Sequence, residues 1–408
     1  MSVYKYFPVA NDRMGMIWTL SSIEGACIIE FGPAGTTHYG IEVVGSLNGD
    51  DKAKIYSTHM DQSDITFGKY DRLEKSILEV DENMKPKYIF VMASSVSSVI
   101  GADVSSVCTM LKDKVSANLI PITTAGFKDD YNVGVENALM LLVKNMVKTR
   151  EELNIQESNQ RYNIIGSNID KYNFLSDANE LERMMDVIFD KKVNTTFTAY
   201  TSVEEVERAS LASLNIVIRK EGLKAAKFME KKFGIPYVYV NMYGLKNSIK
   251  FIDAVKEITS WNVNEENLNK EIQSVKNHIF GVKRKFYFYE GCKNAAIFGD
   301  HDTVIGMSDL LEELGISIDR KQILHKSNCE DDSIIISSEE LPRMKYLKET
   351  ELLLLLADGA TLDMNHNSKF DLQVSNPNLH RMNIYPSTPY IGFRGCLWMI
   401  ENILNIRL

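Results

Sequence analysis

The chain has 408 residues, of which 44% are hydrophobic and 25% are charged. A chain of this length divides into about two to four domains of about 100 to 150 residues, and its composition excludes a disordered or fibrous protein. Lysine and arginine number 46 against 55 aspartate and glutamate residues, a formal charge of −9, so we expect no nucleic-acid partner.

Five cysteines are spread along the chain: Cys27, Cys108, Cys292, Cys329 and Cys396. They form no CxxC pair and no Cys–His ligand spacing, which argues against a disulfide framework or a local zinc site. The first residues lack the apolar core of a signal peptide, and the longest apolar run, Leu352 to Ala357, is far shorter than a membrane span. We therefore expect a cytoplasmic protein with reduced thiols and no membrane partner.

Short runs of β-branched and aromatic residues alternate with stretches of helical periodicity, the pattern of βα units around parallel sheets. In the first third, strands are predicted at Ala26–Phe31, Ile41–Val44, Lys54–Ser57, Tyr88–Met92 and Leu119–Ile122. Helices are predicted at Lys69–Glu82, Ala102–Lys112 and Val133–Val147. The polar, highly charged stretch Lys148–Gln160 interrupts this pattern and indicates a connector between domains.

A second series of elements follows the connector. Its predicted strands are Asn163–Gly166, Lys192–Ala199, Asn215–Val217 and Tyr237–Val240. Its predicted helices are Asp177–Asp190, Val203–Ala212, Glu221–Phe233 and Asn247–Asn277, the last interrupted near Trp261.

A third series completes the chain. Its predicted strands are Arg284–Tyr289, Ala295–Phe298, Ile334–Ile336 and Leu352–Leu356, and its helices are Val304–Leu314, ended by Gly315, and Gly392–Leu404. The predicted fold class is therefore α/β, with three Rossmann-like domains whose parallel sheets are flanked by helices. We place these domains at residues 1–150, 151–282 and 283–408, with the C-terminal helix returning toward the first domain.

Two strand ends carry unusual loops. After the first strand comes Gly32-Pro33-Ala34-Gly35-Thr36-Thr37-His38, read either as a structural turn or as a site at the ligand-binding edge of the sheet. After the strand at residues 88–92, a serine-rich segment runs from Ser94 to Asp103, and its hydroxyls either line a site or cap the next helix. The chain has no GxxxxGK[ST] loop, so we do not expect it to hydrolyse ATP itself.

These loops and their surroundings resemble a known family. The segments GMIWTLSSIEGACIIEFGPAGTTH, VMASSVSSVIGADV, FMEKKFGIPYVYVNMYG, AIFGDHDTVIGMSDLLEELG and RMNIYPSTPYIGFRGCLWMIENI resemble, in order, nitrogenase component 1 type proteins. The family includes the nitrogenase catalytic subunits, the cofactor-assembly scaffold, dark-operative protochlorophyllide reductase and Ni-sirohydrochlorin a,c-diamide reductase. The resemblance implies three α/β domains in a homodimer or a pair with a related subunit, served by an ATP-dependent iron protein.

The resemblance also implies positions for an interfacial iron–sulfur cluster. The family turn G-P-x-G-C places a ligand cysteine where this chain has Thr36, and the other matched positions are Ala10 and Ser95. Because thiolates are the expected cluster ligands, a cluster here requires unconventional ligands or ligands from a partner subunit. His38, His59 and Cys27 are candidate metal or proton ligands nearby, although histidines in loops and cysteines in strands are commonly structural.

Two further sites follow from the resemblance. In nitrogenase, a cysteine of the second domain and a histidine near the C-terminus hold the metal cofactor, and the matching stretches here contain neither. Instead, cations and an amide in these stretches are candidates for an anionic ligand, with solvated surface charges as the alternative: Arg219, Lys220, Arg381, Asn383 and Arg394. Ile100, Gly101 and Asp103 match the family segment that lies close to the iron protein and are candidate docking residues.

Two functions are consistent with these observations. The first is a subunit of an oxidoreductase complex that receives electrons from an ATP-dependent iron protein. The alternative is a non-catalytic binding or assembly protein that holds a metal cofactor, a tetrapyrrole or another anionic ligand between its domains. Substrate and metal content do not follow from the sequence.

Overall fold

The computed structural model describes residues 4–7, 9–44, 47, 53–123, 126–156, 158, 160–383 and 385–407. Within these ranges the chain forms three sheets in sequence order, and every strand pairing between named strands is parallel. None of the helices in the described ranges combines the length and apolar composition that a membrane crossing requires.

The first sheet has the order β2-β1-β3-β4. Its elements are α1 (Asp12–Ser21), β1 (Cys27–Phe31), α2 (Ala34–Val44), β2 (Lys54–Ser57), α3 (Gln62–Phe67), α4 (Asp71–Met84), β3 (Tyr88–Ala93), α5 (Ser95–Val99), α6 (Val104–Leu111), β4 (Asn118–Ile122) and α7 (Tyr131–Asn145). β1 and β3 are buried along their whole length, as the continuous apolar runs predict for central strands of a covered parallel sheet.

The second sheet has the order β6-β5-β7-β8. Its elements are β5 (Tyr162–Ser167), α8 (Phe174–Phe189), β6 (Val193–Thr198), α9 (Val203–Glu207), β7 (Leu214–Val217), α10 (Leu223–Phe233), β8 (Tyr237–Tyr239), α11 (Gly244–Thr259) and α12 (Glu265–Tyr287). Short 3₁₀ turns at Arg208–Leu211 and Lys220–Gly222 complete this part. The predicted interruption near Trp261 is the break between α11 and α12.

The third sheet has the order β11-β10-β9-β12-β13. Its elements are β9 (Asn294–Gly299), α13 (His301–Leu314), β10 (Ser317–Ile323), β11 (Ile334–Ile336), α14 (Glu340–Glu349), β12 (Glu351–Asp358), α15 (Gly359–Leu362), β13 (Asn367–Ser375) and α16 (Gly392–Asn405). Gly315 ends α13 in the left-handed region with φ +81°, as the sequence predicts.

Two predicted strands are wrong. Residues 41–44 end helix α2, because the turn Gly32-Pro33 starts a helix that continues through this β-branched run. Arg284–Tyr289 lies largely within α12, where Val282 and Phe286 are buried one turn apart and Lys285 Nζ donates to the carbonyl oxygens of Leu404 (2.8 Å) and Ile406 (2.6 Å).

The sheets share buried apolar clusters. One cluster joins Leu139 of α7 to Val217 of β7, and another joins Ile216 of β7 to Leu354 of β12. The last helix, α16, packs against α8, α11 and α12. Its return toward the first domain stays a prediction. We keep the divisions after residues 150 and 282 as proposed domain boundaries; residues 157 and 159 of the predicted connector lie outside the described residues.

Helices α1 and α7 approach closely through glycine. A methyl group on Gly15 would lie 1.9 Å from the carbonyl oxygen of Tyr131, and one on Gly134 would lie 1.8 Å from that of Asp12. These distances are far below a van der Waals contact, so the crossing requires glycine at both positions. The crossing places Trp18 and Tyr131 beside the third sheet, where both line a cavity.

Candidate functional site

The loops that carry the cluster-equivalent positions lie side by side. A Cβ on Gly126 would lie 2.8 Å from Asn11 Nδ2 and 3.2 Å from Ser95 Oγ, which places the chain next to Ala10 beside the start of α5. A Cβ on Gly32 would lie 2.4 Å from Ser94 Oγ and 3.2 Å from Thr36 Oγ1. Hydroxyl and amide groups occupy this junction.

The hydroxyls at this junction have structural partners. Thr36 Oγ1 donates to the carbonyl oxygen of Pro33 at 2.8 Å within the first turn of α2. Ser94 caps α5 by accepting from the backbone N–H of Ser97 at 3.1 Å, so capping, one of the two alternatives for this loop, is observed. These residues do not fit an iron–sulfur cluster held by this chain alone, because none supplies a thiolate.

The nearest sulfur atoms are poor substitutes for the missing thiolates. Cys27 is buried within β1, and Cys108 is buried on α6. Burial raises the pKa of the Cys27 thiol, and it raises that of Cys108 to about 11, which favours the uncharged thiol. Within the described ranges, no three His, Cys, Asp or Glu side chains are arranged to hold a metal ion.

A buried ion pair that the sequence did not reveal lies beneath the junction. Arg13 Nε donates to Glu30 Oε1 at 2.7 Å, and its Nη2 contacts both Glu30 and, at 3.4 Å, the carbonyl oxygen of Thr36. Both charged side chains are buried. The pair therefore ties α1 and β1 to the first turn of α2.

The two candidate histidines are separate and exposed. His38 lies within α2, where its Nε2 is 3.0 Å from Glu42 Oε1. His59 follows β2 with φ 51°, and its backbone N–H donates to Ser57 Oγ at 3.2 Å. The structure does not bring these histidines and Cys27 together as one ligand set.

The candidate docking loop is exposed. Val99 has 73% of its surface exposed and Ile100 has 37%, and Gly101 follows with φ +73°. Asp103 caps α6 by accepting from the backbone N–H groups of Ser105 and Ser106, both at 3.1 Å. The loop thus offers apolar side chains to solvent from a fixed turn.

The residues predicted to bind an anionic ligand between the domains either bond to other residues or lie at the surface. Arg219 is buried and bonds to Asp170 and Glu221, each at 2.8 Å, while Lys220 Nζ donates to the carbonyl oxygen of Asn328. Asn383 Nδ2 donates to Asn173 Oδ1 at 2.6 Å. The side chain of Arg394 is 62% exposed, and Arg381 is also exposed. None of these five side chains lines the cavity described next.

A cavity of about 80 Å³, here called the central cavity, lies where the three sheets meet. Eight of the 18 described residues of its wall come from the carboxyl ends of third-sheet strands, the edge at which α/β proteins bind ligands. These residues are Gly299, Asp300, Leu324, His325, Asp358, Ser375, Asn376 and Pro377. The remaining wall is formed by Phe7, Val9, Ala10, Trp18, Leu47, Tyr131, Asp170, Ser338, Arg343 and Ala360.

Four buried polar atoms in this wall have no hydrogen-bond partner among the described residues. Two are donors, Trp18 Nε1 and Arg343 Nε, and two are acceptors, Asp170 Oδ1 and Asn376 Oδ1. Buried polar groups are nearly always hydrogen-bonded in folded proteins. Their concentration in one cavity indicates a place for a polar ligand or ordered water.

Arg343, on α14, is the most unusual of these residues. Its side chain is only 4% exposed, yet no hydrogen bond or ion pair joins its guanidinium to another described residue. Asp358, another residue of the wall, has its carboxylate occupied by the backbone N–H of Thr361 at 3.0 Å and by the Thr361 hydroxyl. Burial raises the pKa of Asp358, although the Arg343 guanidinium attracts the carboxylate through space and opposes this rise.

The other carboxylates of the wall are partly satisfied. Asp300 Oδ1 accepts from the hydroxyl of Tyr131 at 2.6 Å, and burial raises the pKa of this tyrosine well above its usual range. Asp170 Oδ2 accepts from Arg219, and burial raises the pKa of Asp170. Asp302, at the start of α13, accepts from the hydroxyl of Tyr239 and the backbone N–H of Lys220, and Asp300 is the N-cap residue of this helix.

The ring nitrogens of His325 are both used. Nδ1 lies 2.9 Å from the carbonyl oxygen of Lys326, and Nε2 accepts from the backbone N–H of His301 at 3.3 Å. A metal ligand needs a free nitrogen lone pair, so this imidazole is structural. The wall of the central cavity therefore does not fit a metal cofactor coordinated by this chain.

The N-terminal segment closes one side of the cavity. The Glu340 carboxylate accepts from the backbone N–H groups of Lys5 (2.6 Å), Tyr6 (3.1 Å) and Phe7 (3.0 Å), and Phe7 lines the wall. We call residues 5–7 the N-terminal strap. Sequence reasoning missed the strap and Arg343, because nothing in their local pattern marks them.

Comparison with known proteins gives the chain its relatives. The NifE nitrogenase iron-molybdenum cofactor biosynthesis protein of Clostridium pasteurianum is 29% identical over 332 residues, which cover 78% of this chain and 68% of that protein. NifE of Methanococcus maripaludis is 29% identical over 367 residues, covering 83% and 74%. The nitrogenase molybdenum-iron protein alpha chain of Clostridium pasteurianum is 28% identical over 248 residues, covering 58% and 44%.

A solved structure confirms the predicted fold. The structure of nitrogenase Cp1 at pH 6.5 matches with a TM-score of 0.80 at 15% identity, covering 100% of this chain and 93% of that one. The family model described as nitrogenase component 1 type oxidoreductase matches residues 12–407. The chain therefore belongs to the nitrogenase component 1 type oxidoreductase family.

Proposed function

We propose that this chain is a binding or assembly subunit of the component 1 type, which holds an anionic small molecule in the central cavity and carries no cluster of its own. The observation that carries this proposal is the buried guanidinium of Arg343, which forms no hydrogen bond or close ion pair with another described residue. Removing a charged group from water without a partner is costly, so a buried unpaired arginine is explained best by a ligand that pairs with it.

Local chemistry favours an oxyanion as that ligand. A guanidinium presents several N–H donors in a fixed plane that matches a carboxylate or phosphate. Trp18 Nε1 adds a second unsatisfied donor in the same wall. Glu340 and Arg343 attract each other through space, which helps to lower the pKa of Glu340, but no hydrogen bond or close ion pair joins the two side chains in the part of the chain that the structure describes.

The relatives support the assembly role over a catalytic one. Several of the similar proteins are named as cofactor biosynthesis proteins. Of the ligand classes considered, a metal cofactor coordinated by this chain is disfavoured by the wall chemistry. A tetrapyrrole or another organic anion places its acidic groups against Arg343 without requiring a metal ligand.

The proposal is tested by purifying the wild type and the Arg343→Met variant anaerobically and identifying the small molecules that denaturation releases. We expect an organic anion with the wild type, little or none with the variant, and negligible iron or acid-labile sulfide in both. Equal anion content in the two proteins would contradict a role for Arg343.

A second candidate is a reductase subunit that receives electrons from an ATP-dependent iron protein, with a homodimer mate or related subunit supplying cluster ligands. The exposed Val99 and Ile100 beside the cluster-equivalent loops favour it. Co-expression with a component 1 partner, followed by mixing with a reduced iron protein and ATP, distinguishes the candidates. Bleaching of an iron–sulfur absorption band supports electron transfer, whereas a colourless complex supports the assembly role.

A further inference from the structure

The central cavity contains free hydrogen-bond acceptors as well as free donors. Asp170, 4% exposed, has Oδ1 unpartnered, and Asn376 has Oδ1 unpartnered in the same wall. Acceptors of this kind are not satisfied by a simple anion, whose oxygens bring only further lone pairs.

The two acceptors belong to adjacent residues in space. Asn376 Nδ2 donates to the backbone carbonyl oxygen of Asp170 at 2.8 Å. Because that carbonyl can only accept, the amide orientation is fixed, and Oδ1 of Asn376 remains an acceptor. The Arg219 guanidinium holds the other carboxylate oxygen of Asp170 at 2.8 Å, so Oδ1 is the part of this carboxylate left for a ligand.

The charges of the wall also restrict the ligand. Three carboxylates, Asp170, Asp300 and Asp358, line the cavity, against the single guanidinium of Arg343. A multiply charged anion would increase the repulsion in this buried space, whereas a ligand with one positive group would relieve it. Thr361 occupies both oxygens of Asp358 and Tyr131 occupies one oxygen of Asp300, while Asp170 is the wall acid that has a fully buried oxygen without a partner among the described residues.

We infer, resting on the proposed function, that the ligand of the central cavity is an amino-carboxylate. Its carboxylate pairs with Arg343 and Trp18 Nε1, and its ammonium group donates to Asp170 and Asn376. This arrangement satisfies the four unpartnered atoms together and adds little net charge to the cavity.

Matched probes test the ammonium group without any substitution. L-Glutamate and glutarate differ only in an ammonium group on the α carbon, and γ-aminobutyrate and butyrate differ only in an ammonium group on the γ carbon. Isothermal titration of the full-length wild type with each probe is expected to show binding about tenfold tighter for the amino compound of at least one pair, since one charge-assisted hydrogen bond is at stake.

Two variants then test which residue binds the ammonium group of the ligand and which binds its carboxylate. Asp170→Asn is expected to reduce the preference for the amino compound to about twofold or less, because the amide oxygen carries no charge. Arg343→Met is expected to abolish binding of both members of a pair. If Asp170→Asn does not fold, the probe comparison on the wild type still decides the question.

The outcomes separate this inference from the proposed function. Equal affinity for amino and plain carboxylates, or failure of all four probes to bind a wild type that carries another Arg343-dependent anion, overturns the amino-carboxylate inference alone. Absence of any Arg343-dependent anion, in both the titrations and the released small molecules, overturns both.

Discussion

Glu340 and Arg343 lie one turn apart on α14, are both buried, and face different partners. The carboxylate of Glu340 binds the N-terminal strap through three backbone N–H groups, whereas Arg343 lines the central cavity and forms no hydrogen bond or close ion pair with any residue that the structure describes. Phe7 of the strap lines the same cavity. The same turn of α14 therefore carries the residue that holds the N-terminal strap over the cavity and the residue proposed to bind the anion.

Replacement of Arg343 is expected to stabilise the empty protein. In Arg343→Met the apolar side chain removes a buried unpaired charge, so the free energy of unfolding should rise or stay level, by about 0–3 kcal/mol. Chemical denaturation of ligand-free protein measures the change. Lys345→Met, an exposed cation on the same helix, is the matched control and should change stability by less than about 0.5 kcal/mol. A large loss of stability in Arg343→Met alone would show that the guanidinium has a structural partner.

Replacement of Glu340 is expected to release the strap. In Glu340→Gln the amide offers one acceptor oxygen in place of two and presents an N–H₂ group to backbone donors, so local opening should become easier by about 1–3 kcal/mol. Hydrogen–deuterium exchange of residues 5–7 measures this opening. Glu339→Gln, a neighbouring exposed carboxylate, serves as the control. Unchanged exchange in Glu340→Gln would mean that the strap is held by other contacts.

Acid should release the same strap in the wild type. Burial alone raises the pKa of Glu340, but the backbone N–H groups of Lys5, Phe7 and Tyr6 outweigh it and hold the pKa below its ordinary value of 4.5. A carboxyl with a lowered pKa contributes its full stability above that ordinary value and loses it as the pH falls through the folded-state pKa. Strap exchange, corrected for the intrinsic pH dependence, should therefore increase below about pH 4.5, and the increase should be absent from Glu340→Gln.

The exposed loop after β3 supplies the docking prediction. Ile100→Glu should weaken capture of an ATP-dependent iron protein about tenfold, because it places a charge in an apolar contact, and Asp103→Asn should weaken it less while retaining the helix cap. Met110→Glu alters a half-exposed apolar residue of α6 and is the control. Equal capture by Ile100→Glu and the wild type in a pull-down, with thermal unfolding unchanged, would exclude this surface.

The sequence correctly predicts the strands whose residues are apolar because the strand is buried. β12 is a run of leucines buried on both faces, and it is predicted correctly. β10 and β13 are not recognised, because they contain alternating charged residues; Arg320 of β10 stacks at 3.8 Å on the ring of Tyr346. The β-branched run at 41–44 becomes helical, since the preceding turn decides the conformation and local propensity is only a weak preference.

The site is less accessible to sequence reasoning than the fold. Family motifs locate Ala10, Thr36 and Ser95, and the structure brings their loops together. Arg343 and Asn376 lie in segments without any motif. Their position in the wall of the central cavity is visible only in the structure, where the third sheet brings them to one edge. Arg219 shows the opposite case: its position suggests a ligand-binding cation, but Asp170 and Glu221 neutralise it.

Anaerobic native mass spectrometry of the protein purified alone tests the central claim most directly. We expect the 46.3 kDa chain, as monomer or dimer, to carry an organic ligand that Arg343→Met lacks, with no increment of iron and sulfide. A mass increment that corresponds to an iron–sulfur cluster on this chain without a partner subunit would contradict the account.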